Sequence, residues 1–154
     1  MSLSETAFES ILYDASKVIE GNIIWKPDPK HDIWLKFKAD ILSEKETYSL
    51  SLRGTYNPLI SSLSYHIICP PYGRIYGLDI GKNHRNPSSG ELVGETHKHR
   101  WSEVYRDKEA YVPPDITASA SEPIEVWSQF CEEAMIRHNG VMEPIPEQQL
   151  DMFL

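Results

Sequence analysis

The amino-acid sequence predicts an α+β fold: an antiparallel sheet of about five strands, connected as a meander, with an N-terminal and a C-terminal helix packed on it. Three observations lead there. Apolar residues recur at three- and four-residue spacing near both ends of the chain. Between these stretches the apolar period falls to two. The alternating stretches follow one another through short connections, whereas parallel crossovers need about a dozen residues or more.

Taken in order, residues 4–20 read as an amphipathic helix with Phe8, Ile11, Leu12, Ala15, Val18 and Ile19 on one stripe. Ser4 is its N-cap, and Gly21 can take the left-handed conformation at its end. Pro27 and Pro29 then break the chain. Ile33, Leu35, Phe37, Ala39 and Ile41 alternate with polar residues as a first strand, and Tyr48, Leu50 and Leu52 mark a second that closes near Asn57-Pro58. A third runs from about Leu63 to Cys69, and a fourth covers Arg74 to Ile80. After a polar loop from Gly81 to Gly90, a fifth spans roughly Glu91 to Glu103. Ser121, as N-cap, opens a second helix whose stripe is Ile124, Trp127, Cys131, Ala134 and Met135; Asn139-Gly140 ends it. Residues 1–140 form one domain on this reading, and residues 141–154 an extended tail held by Pro144 and Pro146.

Composition sets the bounds. A chain of 154 residues buries roughly two-thirds of its extended surface. No stretch approaches the ~18 apolar residues of a membrane span, and a signal-peptide pattern is missing, so a cytoplasmic location is expected. Cys69 and Cys131 sit in apolar surroundings without CxxC spacing and read as reduced core residues. A net charge of −8 argues against strong direct nucleic-acid binding by the body, since phosphates are gripped by Lys and Arg. Lys98, Arg100 and Arg106 lie close in sequence; a solvated strand face explains them more simply than a basic patch does.

The stretch from His84 to Tyr111 holds three of the six histidines. On a strand, His97, His99, Trp101 and Glu103 share a face, and Thr96, Lys98, Arg100 and Ser102 share the other. With His84 arriving from the loop, the imidazoles could converge on a divalent metal or serve as general acid and base. They could equally be structural, satisfied by Asp79 or a backbone carbonyl. Phosphate-binding loops, dinucleotide fingerprints, zinc-protease helices and nucleophile elbows have no matching motif here.

The run Leu78-Asp79, His84-x-Asn86-Pro87, Gly90-Glu91, His97-x-His99, Glu103-x-Tyr105-x-Asp107-Lys108-x-Ala110-Tyr111 resembles a family of small bacterial proteins of unknown function, often encoded in mobile or prophage-like regions. Arg106 stands where that pattern has glycine. The resemblance implies that His84, His97, His99, Glu103, Asp107 and Lys108 form the site.

At the end of the tail, Gln149-Leu150-Asp151-Met152-Phe153 resembles the QL[SD]LF pentapeptide by which bacterial polymerases and repair proteins dock on the β sliding clamp. Methionine replaces leucine with nearly the same volume. Leu150, Met152 and Phe153 would each contribute ~1.5–3 kcal/mol on burial in an apolar groove. Ordering the peptide offsets much of this, which gives an affinity of about micromolar order. Two functions therefore stand side by side. One is a clamp-docking protein at replication or repair sites. The other is a toxin-like or repair-associated nuclease using His84, His97 and His99, with or without a metal.

Overall fold

The computed structural model describes residues 2–45 and 47–146. In chain order the elements are α1 (Glu5–Leu12), β1 (Val18–Glu20), β2 (Lys26–Pro27), β3 (Leu35–Ile41), β4 (Leu50–Asn57), β5 (Ser62–Cys69), β6 (Gly73–Ile80), β7 (Thr96–Arg100), β8 (Ala110–Tyr111), α2 (Pro123–Ala134) and β9 (Arg137–Asn139). Strands β2 to β8 form one antiparallel sheet in sequence order, so the meander holds. Its seven strands exceed the expected five because β2 and β8 are two-residue edge strands, too short to show alternation. Strands β1 and β9 make a separate parallel pair.

The first helix is shorter than its apolar spacing predicts. Ser4 Oγ accepts from Ala7 N–H at 3.0 Å and caps the start, but α1 stops at Leu12. Asp14 Oδ1 accepts from the Ser16 backbone at 2.9 Å and from Ser16 Oγ at 2.7 Å, a local turn that competes with helix. Lys17 folds back, and its buried Nζ donates to the carbonyls of Ile11 (2.8 Å), Leu12 (2.6 Å) and Asp14 (2.9 Å). It thereby satisfies carbonyls that a helix end leaves orphaned. Val18 and Ile19 then leave as β1; Ile19 is still buried, but on a strand.

The second helix begins at Pro123 behind Glu122, not behind Ser121. It ends at Ala134, where Met135 turns into the left-handed region with φ 56°, and residues 137–139 continue as β9. Val126, Trp127, Phe130 and Cys131 are buried against the sheet. Trp127 lies 5.1 Å from Tyr65, ring centre to ring centre, and Phe130 lies 5.7 Å from Tyr76. After Gly140 the chain stays on the body: Met142 is buried and bridges Ile23 in parallel.

Register decides what each sheet face carries, because antiparallel partners share a face. Phe37, Gly54, Tyr65, Leu78, Lys98 and Tyr111 form one cross-strand row on the face that α2 covers. A Cβ on Gly54 would clash with Phe37 Cε2, so glycine there makes room for the ring. The opposite face carries two rows: Lys36, Thr55, Ser64, Asp79 and His97, then Lys38, Arg53, His66, Gly77, His99 and Ala110. It is exposed at β3 and β4 and becomes buried at β6 and β7.

Replacing Lys17 by Met keeps the stem and removes the three donors. Stranding those buried carbonyls should lower stability by on the order of 2 kcal/mol in urea unfolding; an unchanged midpoint would show that Lys17 does not hold the end of α1.

Candidate functional site

The histidines converge, and the group at their centre is Asp79. Ser64 and Asp79 pair with each other and Asp79 with His97, while His66 and His99 both pair with Gly77 in the next row. Gly77 is what lets the rows close up: a Cβ there would lie 2.5 Å from His66 Cδ2. Asp79 Oδ1 accepts from Ser64 Oγ at 2.6 Å and lies 2.8 Å from His66 Nε2. Oδ2 faces His97 Nε2 and His99 Nε2, each at 3.3 Å, and Arg74 Nη1 at 3.6 Å. Asp79, His97 and His99 are 5%, 1% and 3% exposed, whereas His66 and Arg74 reach the surface. Burial alone would raise the Asp79 pKa, but its side-chain partners, His66 first among them, hold it well below the usual carboxylate range. Burial lowers the pKa of His99, and the contact with Asp79 offsets only part of that.

The loop after β6 brings His84 to this cluster. Asn86 binds the Ala110 backbone twice, donating to its carbonyl at 2.8 Å and accepting from its N–H at 2.9 Å, as a neighbouring strand would. Glu109 accepts from the backbone and hydroxyl of Ser88 at 2.8 and 2.9 Å. With the loop docked on β8, His84 Nε2 donates to Lys108 O at 2.6 Å. Its ring centre lies 4.6 Å from that of His99 and 5.5 Å from that of His97.

The other candidates divide. Asp107 belongs to the cluster: its carbonyl accepts from His99 Nδ1 at 2.9 Å, and its carboxylate accepts from Arg74 Nε at 3.2 Å. Lys108 contributes its carbonyl, and its ammonium is exposed, 3.8 Å from Asp107. Glu103 lies elsewhere. Strand β7 ends at Arg100, the chain turns at Ser102–Arg106, and Glu103 Oε1 accepts from Glu5 N–H at the start of α1. Arg106 holds φ 56° in that turn, the conformation a glycine adopts freely, and its guanidinium lies 4.8 Å over Trp101.

Lys98 overturns the solvated-face reading. It is fully buried beneath α2, with Nζ 2.6 Å from Asp115 Oδ2 and 2.9 Å from Glu133 Oε1, 5.5 Å from the Tyr76 ring centre. Tyr76 and Tyr111 also donate to Glu133. Arg100 packs over Phe8 of α1, so these three residues do not make a basic patch. Sequence reasoning named Asp79 only as a satisfying partner and missed His66 and Arg74. The one available signal was that Leu78-Asp79 opens the matched pattern.

Burial would raise the pKa of Glu133, but the bonds from Tyr76 and Lys98 outweigh it and bring the pKa down to about 2 from 4.5. A depressed carboxylate adds stability that is fully present above its unfolded value and is lost as pH falls through the folded one. Wild type should therefore lose more stability than Glu133→Gln between pH 4.5 and about 2, measured by urea unfolding across that window. Parallel curves would count against it.

No curated protein and no solved structure matches the chain. A family model does match, over residues 3–136, a span that takes in both helices and the whole seven-stranded sheet. With the sheet, both helices and the histidine cluster inside that span, the chain belongs to a family of unknown function, DUF6978.

Proposed function

We propose that the chain is a nucleic-acid phosphodiesterase, toxin-like or repair-associated, that cleaves with the cluster of His84, His97 and His99. The observation that carries this reading is the shared sheet face. Lys38 and Arg53, both exposed, stand in the row of His66 and His99; exposed Lys36 stands in the row of His97. At ~4.8 Å between strands, the row from Lys38 and Arg53 to His99 runs roughly 19 Å, enough to follow a stretch of phosphate backbone. The histidine cluster at its end supplies acid–base or metal chemistry, and Arg74 and Lys108 offer positive charge for an oxyanion. A whole-chain charge of −8 keeps this grip weak.

A second reading complements the first and rests on Gln149, Leu150, Asp151, Met152 and Phe153, which lie outside the described residues. Their likeness to the bacterial clamp-binding pentapeptide supports docking on the β sliding clamp, a partner that encircles DNA. Tethering there raises the local concentration of nucleic acid and offsets the repulsion of an acidic body. The resemblance to mobile-element proteins agrees with a role at the replication machinery.

Cleavage of labelled single-stranded and duplex nucleic acid tests the first reading. His97→Ala/His99→Ala should lose about 10²–10⁴-fold in rate. Lys38→Glu/Arg53→Glu should weaken binding and lower the salt slope by about 2. Background-level cleavage by wild type on every substrate would remove the reading.

For the second, deleting residues 148–154 should abolish fluorescence-polarisation binding to purified β clamp. Binding that survives the deletion would exclude the tail as the docking element.

A further inference from the structure

The hydrogen bonds around His97 and His99 fix where their protons are. His97 Nδ1 lies 2.8 Å from Gly94 O, and His99 Nδ1 lies 2.9 Å from Asp107 O. A carbonyl only accepts, so each Nδ1 carries its ring's proton. In that tautomer each ring turns Nε2 inward, and both Nε2 atoms face Asp79 Oδ2 at 3.3 Å. Three lone-pair atoms thus converge on one point. Asp79 spends its other oxygen on Ser64 and His66, and Arg74 at 3.6 Å from Oδ2 is too distant for a hydrogen bond.

Such a convergence needs a positive centre among the three atoms. One divalent ion answers all three lone pairs at once. The spacing fits: ligands at ~2.1 Å around a tetrahedral ion stand roughly 3.4 Å apart. The bonds from each Nδ1–H to a backbone carbonyl are the outer shell that orients metal-ligating imidazoles.

We propose that Asp79 Oδ2, His97 Nε2 and His99 Nε2 bind one divalent transition-metal ion of the zinc class. All three ligand atoms lie within 4.8 Å of one another. Two imidazoles and one carboxylate leave a fourth position open, as catalytic sites do and closed structural sites do not. His84 stands outside this ligand set and next to it. The site is the one read above as the cleavage centre, but ion binding needs no cleavage to be true.

The test uses the full chain, stripped by chelator and titrated with Zn²⁺ in a calorimeter and with Co²⁺ by visible absorption. One ion per chain should bind, and the melting temperature should rise with added Zn²⁺. Binding should be lost in His99→Ala and Asp79→Asn, each first shown by circular dichroism to be folded, and kept in His84→Ala. If those variants do not fold, nitrogen-15 spectra of wild type decide: Zn²⁺ should shift Nε2 of His97 and His99 and leave both Nδ1 protonated. Unshifted imidazoles, or folded wild type without saturable binding, would overturn the site. So would binding that persists in folded His99→Ala. Ion binding without cleavage would keep the metal site and remove only the nuclease, whereas chelator-resistant cleavage without ion binding would do the reverse.

Discussion

A buried carboxylate cannot be left alone, and the placement of Asp79 is the constraint around which this sheet is arranged. An ion taken out of water is destabilising by several kcal/mol unless partners surround it. Here they come from three strands: Ser64 and His66 from β5, Arg74 from β6, His97 and His99 from β7. Ser64, His66, His97 and His99 arrive because antiparallel register puts each in the same or the adjacent row as Asp79, while Arg74 stands on Asp79's own strand, beyond the register shift at Ile67/Ile68. A one-residue slip of β7 would turn both histidines toward α2 and bring Lys98 to the carboxylate instead. Register, caging and chemistry are therefore one requirement.

The same alternation solves a second problem on the other face. Lys98, between the two histidines, is driven into the apolar layer under α2, where Glu133 and Asp115 pair it and two tyrosines complete Glu133. Strand β7 thus carries an anion's partners on one face and a buried cation on the other. Breaking either cage leaves a charge without compensation, which is far more destabilising than losing a surface pair. This fixes β7 in the sheet, and with it the backbone that the 82–95 loop and β8 pack around. Asn86 and Glu109 then clamp that loop, so His84 is set by the edge of the sheet and not by its own strand.

Charge distribution qualifies what net charge says. The chain is acidic overall, yet Lys36, Lys38 and Arg53 share the open half of the face that holds the histidines. Net charge governs long-range approach; a local row governs what is held after contact. The carboxylates that make the chain acidic include Asp115 and Glu133, spent on Lys98, and Asp79, spent among imidazoles.

Short-range pattern determined the α+β class, the order of the meander and the stretch in which the histidines meet, because period and turn residues are local properties; of the C-terminal stripe it placed Trp127, Cys131 and Ala134, whereas Ile124 and Met135 are exposed. The end of α1 was not legible: Val18 and Ile19 keep helical spacing, and the Asp14–Ser16 turn with the return of Lys17 to three carbonyls decides against it. Nor was Glu103's departure, since a turn with Arg106 in a left-handed conformation ends the strand pattern early. Asp79, His66 and Arg74 could not be assigned from the chain alone, for their meeting depends on cross-strand register and on a glycine, Gly77, that makes room for a ring from another strand. Sequence fixes which side chains share a strand; only tertiary pairing, set by burying one face of every strand at once, decides which strands bring them together.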